Sequence, residues 1–214
     1  MNSKFFIIAG LALLILLAGC LEPTLDDGTI NSEDCASITD SKEKDSCFNK
    51  QALTANNFTL CDNVSDTKTK DSCYGKIAGI VFSEEACGKI STDKDETNCY
   101  RSVALNASLT ELREVVCDNI KVKIDSEKCN YDLAAKYVDN AKKSCEKELA
   151  DKALNKKDEK YASELADCQT RIKAERVPKS ESVCGRIDTD ETRDNCYANL
   201  GKVSSTSTVC SKVV

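Results

Sequence analysis

Beyond residue 34, large apolar side chains are sparse and keep a fixed register with the cysteines. The spacing Cys-x11-Cys occurs five times, opening at Cys35, Cys61, Cys87, Cys117 and Cys184 and closing at Cys47, Cys73, Cys99, Cys129 and Cys196. Three positions after each opening cysteine stands Ile38, Val64, Ile90, Ile120 or Ile187. Directly after each closing cysteine comes Phe48, Tyr74, Tyr100, Asn130 or Tyr197, and four residues further on Ala52, Ala78, Ala104, Ala134 or Gly201. Asn130 departs from the aromatic rule, although Tyr131 stands beside it. Residues four apart share a helix face, so the closing half of each repeat predicts a helix with one apolar stripe. Polar turn formers between the cysteines, such as Thr39-Asp40-Ser41, Ser65-Asp66-Thr67 and Thr189-Asp190, can end one helix and cap the next. Each repeat therefore predicts a short helical hairpin with its cysteines symmetric about the bend. Three successive repeats begin 26 residues apart, the signature of hairpins stacked so that each buries its stripe on the next.

One repeat is stretched. Tyr131, Ala134, Val138, Ala141, Cys145 and Leu149 predict one long helical stripe, and Tyr161, Leu165, Cys168 and Ile172 a second, with the turn at Asn155-Lys156-Lys157-Asp158. Pro178 is expected to stop that second helix. The fold class expected for residues 35–214 is all-α: a solenoid-like stack of short disulfide-linked helical hairpins with one longer hairpin.

The constant interval pairs Cys35 with Cys47, Cys61 with Cys73, Cys87 with Cys99, Cys117 with Cys129 and Cys184 with Cys196, and symmetry about the bend of the long hairpin pairs Cys145 with Cys168, leaving Cys210 unpaired. Each bridge closes a loop short enough to stabilise the fold by ~3 kcal/mol in the chain-entropy model. A competing register pairs Cys47 with Cys61, Cys73 with Cys87, Cys99 with Cys117, Cys129 with Cys145, Cys168 with Cys184 and Cys196 with Cys210, leaving Cys35 free. Its intervals vary, which favours the first register, yet spacing alone does not fix connectivity.

Ahead of the repeats, residues 1–19 carry Lys4, the apolar run 5–17 and then Ala18 and Gly19, the layout of a signal peptide. That run is shorter than the ~20 residues a spanning helix needs. Leu17-Ala18-Gly19-Cys20 resembles the lipobox of prokaryotic lipoproteins. The resemblance implies that Cys20 becomes the first mature residue and carries a thioether-linked lipid, which places the chain outside the cytoplasm, anchored to the cell membrane. An ordinary secretory leader and an uncleaved anchor are the alternatives. Residues 20–34, with Pro23, Gly28 and two adjacent aspartates, read as a lipidated flexible tether. The repeat domain itself, with its opening Cys-x2-Ile, closing Cys-Tyr and downstream Ala, resembles cysteine-rich helical repeats of uncharacterised archaeal surface proteins. The Cys145–Cys168 hairpin departs from that pattern, and the resemblance implies a fold and no activity.

Composition narrows the chemistry. Without Lys4 of the leader, 30 − 1 = 29 basic side chains face 36 acidic ones, a net charge of −7 that disfavours nucleic acid as a partner. There is no Trp, and two of the five Phe lie in the leader, so the core is thin and disulfides must compensate in an oxidising compartment. The absence of His removes Ser-His and Cys-His nucleophile pairs and His-ligated zinc or haem. The nearest cysteines are 12 positions apart, unlike the Cys-x2-Cys of zinc knuckles and thioredoxin-like centres. No catalytic residue, metal or cofactor is expected, and the many carboxylates read as a solvated surface interspersed with lysines. Asn57-Phe58-Thr59, Asn63-Val64-Ser65 and Asn106-Ala107-Ser108 fit the N-glycosylation rule, making Asn57, Asn63 and Asn106 candidate acceptors. The expected function is a non-catalytic surface module for an unknown protein or glycan partner, the alternative an envelope spacer. Tyr74, Tyr100 and Tyr197 serve either as contacts or as packing between hairpins, and their helical spacing favours packing.

Overall fold

A computed structural model describes residues 35–213 except 153, 155 and 158. The leader, Cys20 and the tether lie outside the described residues, as do Asn155 and Asp158 of the expected turn. The described residues form helices α1 (Ser41–Ala55), α2 (Thr67–Val81), α3 (Glu84–Gly88), α4 (Asp93–Ala107), α5 (Lys123–Asp139), α6 (Ala141–Asp151), α7 (Tyr161–Cys184), α8 (Asp190–Ser204) and α9 (Ser207–Cys210). Two 3-10 turns, Phe58–Asn63 and Val116–Asn119, complete them, and there is no strand among the described residues. None of these helices is long and apolar enough to cross a membrane.

The closing arm of each short repeat is a full helix, and in the first three the turn chemistry starts it with a side-chain cap, whereas Val122 and Thr189 begin the last two without one. Asp40 and Asp66 accept the backbone N–H of Glu43 and Thr69 at 2.9 and 2.8 Å, and Thr92 that of Asp95 at 3.3 Å. The opening arm is shorter than a hairpin predicts: a turn of 3-10 helix, the five-residue α3, or in the last repeat the final turn of α7. Six disulfides join the two arms in the constant-interval register, with Cα–Cα distances of 5.5–5.9 Å. The competing register is not formed, and Cys210 is free and exposed.

One apolar core runs through the short repeats, carrying Ile77, Val103, Leu133 and Leu200 between successive helices. Helix α5 packs against α4 on one side and α8 on another, so the last repeat continues the stack directly from the fourth. The long hairpin is an insertion into that stack. Its outer part has a small cluster of its own around Ala141, Cys145, Cys168 and Ile172, while the rest of α7 packs along α5. At the junction sits Arg176, buried, donating to the carbonyl of Tyr137 and the hydroxyl of Ser144 at 2.7 Å each, with its guanidinium 4.6 Å from the Tyr137 ring centroid. Burial holds its pKa below the ordinary arginine value.

Two expectations need correction. The stripe from Tyr131 to Leu149 is two helices, because the chain breaks at Asn140, whose buried amide donates to the hydroxyl of Ser108 at 3.1 Å. Pro178 does not stop a helix: α7 runs through it to Cys184. Proline removes one N–H and crowds the carbonyl four residues back. Pro178 and Ala174 both lie on the exposed side of α7, where solvent can reach that carbonyl, while the opposite side buries Ile172, Arg176 and Ser180.

Candidate functional site

The tyrosines resolve as packing residues. Tyr74, Tyr100 and Tyr197 are buried, and each ring reaches back to the residue after its own opening cysteine. Tyr74 donates its hydroxyl to Asp62, whereas the hydroxyls of Tyr100 and Tyr197 lie over Gly88 and Gly185, 3.1 and 3.4 Å from where a Cβ would stand. In the fourth repeat the shorter Asn130 reaches Asp118 at 3.4 Å. Burial, reinforced by the Asp62 hydrogen bond, pushes the Tyr74 phenol well above its ordinary pKa, and burial beside Glu96 raises that of Tyr100.

Four acids that read as solvated surface are in fact buried and join one repeat to the next. Asp45 accepts the backbone N–H groups of Ser65 and Asp66 at 2.7 and 2.8 Å. Asp71 takes the N–H and hydroxyl of Ser91 at 3.0 and 2.5 Å. Glu127 takes the N–H and hydroxyl of Thr189 at 3.1 and 3.0 Å. In the third repeat Glu96 instead meets the ammonium of Lys121 at 2.6 Å, and this contact raises the pKa of Lys121. Each acid precedes its closing cysteine by two residues, or three for Glu96, and each clasps the turn of the following repeat. Thr189 caps α8 without a side-chain hydrogen bond because its hydroxyl is spent on Glu127. The only trace in the sequence is a recurring position two or three residues before the closing cysteine, which the many other acids hide.

The clasps leave a row of grooves between neighbouring helices. Between α1 and α2 the groove measures about 680 Å³, between α2 and α4 about 640 Å³, and between α4 and α5 about 400 Å³. The middle groove is walled by Ser72, Lys76, Thr92, Asn98 and Ser102 and floored by Gly75 and Ile90. A Cβ on Gly75 would stand 3.8 Å from Ile90, in ordinary contact, so the glycine leaves the floor open without being sterically required. The walls of the first two grooves offer hydroxyl and amide groups of both hydrogen-bonding senses beside lysines and aspartates, whereas Asp93, Lys94, Arg101 and Asp125 make the third more strongly charged. Among the described residues no group of three or more His, Cys, Asp or Glu side chains is arranged to hold a metal ion.

Asn57, Asn63 and Asn106 are all exposed. The side-chain oxygen of Asn57 caps the 3-10 turn by accepting the N–H and hydroxyl of Thr59 at 3.0 and 2.8 Å. Asn106 lies in the last turn of α4, and Ser108 of its acceptor triplet is buried. Six disulfides suit an oxidising, extracytoplasmic environment. Set against known protein families, characterised proteins and solved structures, the chain matches none.

Proposed function

We propose that this chain is a lipid-anchored surface protein whose disulfide-braced repeat is a non-catalytic binding module, with Cys20 the lipidated residue and the row of inter-helix grooves the binding face. The observation that carries the reading is the recurrence, at three successive helix junctions, of a groove lined by threonine, asparagine or serine, lysine and aspartate side chains together with apolar surface. Bridged, clasped repeats hold those walls rigid, so little ordering entropy is lost when a partner docks. Hydroxyl, amide and charged groups alternating with apolar surface suit an extended amphipathic partner such as a glycan chain of the envelope before a protein, because aromatic anchors typical of protein hot spots are not offered by these grooves. Glycosylation at exposed Asn57 or Asn63 would flank the first groove without filling the second.

The test is binding of the purified protein to isolated envelope polysaccharides, read by calorimetry. Ser72→Tyr and Ser102→Tyr place rings from exposed wall positions into the middle groove. They are expected to abolish binding while leaving the helical circular dichroism intact. Equal binding by both variants and the parent would sink the reading. The spacer function is the second reading, favoured because Tyr74, Tyr100 and Tyr197 are all buried. It predicts no saturable binding to any envelope fraction.

A further inference from the structure

Tyr131 breaks the register of the repeat. Tyr74, Tyr100 and Tyr197 follow directly on their closing cysteines and are buried. In the fourth repeat that packing position belongs to Asn130, and Asp118 of the opening arm is also held by Arg186 at 2.5 Å. Tyr131, one residue on, is turned about 100° around α5 from there. It is partly buried and packs against the main core, which anchors its ring. It lines a groove of about 470 Å³ between α4, α5 and α8, with Leu105 and Val203 as further apolar surface and Lys136, Asp139 and Asn199 supplying polar groups. Asp132 of this groove pairs with Arg101 of the α4–α5 groove, one turn before Leu105 on α4, so their ion pair lies where the two grooves meet. The row of grooves thus continues past that pair. Among the described residues no aromatic side chain lines the other three.

We propose that this groove is a sugar-ring subsite, in which the apolar face of one pyranose unit of an envelope polysaccharide lies against Tyr131 while Lys136, Asp139 and Asn199 exchange hydrogen bonds with its hydroxyls. A pyranose presents C–H groups on its faces and hydroxyls around its edge. A tyrosine ring already anchored on the core, flanked by aliphatic side chains, offers flat apolar area with little ordering cost. The ammonium donates, the carboxylate accepts and the amide does both, which matches hydroxyls of either sense. A volume of about 470 Å³ lies within the range of about 300–1,000 Å³ usual for small-ligand clefts. The subsite rests on the glycan-binding reading of the neighbouring grooves and adds to it the position that recognises a ring.

The chain contains no Trp, so Tyr131→Trp creates a single indole that reports from the groove itself. Isolated envelope polysaccharide should shift its emission saturably, with the midpoint that calorimetry gives for the same variant. Tyr131→Phe should bind within about twofold of the parent, whereas Tyr131→Leu, which keeps apolar bulk on the core and loses the flat ring, should bind about tenfold more weakly. Asn199→Ala, on the opposite wall, should weaken binding about fivefold. Circular dichroism of every variant should match that of the parent. If the parent binds and Tyr131→Leu binds equally well, or the indole stays silent while Ser72→Tyr and Ser102→Tyr still abolish binding, the subsite is refuted and the other grooves keep their role. A parent that binds no envelope polysaccharide removes the glycan reading and the subsite together.

Discussion

Replacing Asp45 by alanine deletes the clasp between the first and second repeats and leaves every disulfide in place. The carboxylate is 5% exposed and accepts two backbone N–H groups, at 2.7 and 2.8 Å. A hydrogen bond to a charged group contributes about 1.5–3 kcal/mol net. Both donors lie in the exposed turn of Ser65 and Asp66, where water replaces the lost acceptor, so the lower end of that range applies to each. The expected loss is about 2–4 kcal/mol for the pair. Asp45→Asn keeps one acceptor and points an amide N–H₂ at the other donor, for a loss of about 1–2 kcal/mol. Because no bridge links these repeats, the junction rests on the clasp and on apolar packing. Urea unfolding with the disulfides intact measures the loss, and hydrogen exchange at the Ser65 and Asp66 amides localises it. Asp194→Ala is the internal control, since its buried oxygen has no donor to lose, and in dilute solution it should change stability by less than about 0.5 kcal/mol. If Asp45→Ala costs no more than Asp194→Ala, the clasps do not order the stack and the reasoning fails.

Other outcomes follow from the same geometry. The Tyr74 and Tyr100 phenols are held neutral above the ordinary tyrosine value of about 10, so their contribution to stability is complete below that pH and is lost as pH rises past it. Tyrosinate absorbance from these two residues should therefore appear together with unfolding, and Tyr74→Phe should flatten the alkaline fall; ionisation in the folded state would contradict this. Gly79→Ala, where a Cβ meets nothing within 4 Å in the last turn of α2, should raise stability by up to about 1 kcal/mol. Gly201→Ala should lower it, because its Cβ would stand 2.6 Å from the Cys210 sulfur; thermal melts that rank the two variants the other way would refute the assignment. Cys20→Ser should release the chain from the membrane fraction, and the mass of the parent's first peptide should carry a lipid; an unlipidated, membrane-free parent would remove the anchor from the account.

The repeat was legible because cysteine, aromatic and alanine positions recur at helical offsets, and those offsets are set by one local geometry repeated without change. Five of the pairings followed from the same constancy, and Cys145–Cys168 from its symmetry about the bend of the long hairpin. What local reasoning missed lies between repeats. Asp45, Asp71, Glu96 and Glu127 carry no mark that separates a clasped acid from a solvated one until the following turn is placed against them. Asn140 interrupts an otherwise unbroken apolar stripe because Ser108, 32 residues away, takes up its buried amide. Pro178 misled for the opposite reason: its local effect is real, and the packing of α7 along α5 overrides it where Ala174 and Pro178 face solvent. The grooves too are tertiary features, since Ser72 and Ser102 are far apart in sequence and face one another only after stacking.

A peptide map of the native protein under non-reducing conditions tests the central claim, a stack of individually bridged repeats in an oxidising environment, most directly. It should return Cys35–Cys47, Cys61–Cys73, Cys87–Cys99, Cys117–Cys129, Cys145–Cys168 and Cys184–Cys196. Bridges that cross from one repeat to the next, such as Cys47–Cys61, or a majority of reduced thiols, would contradict it.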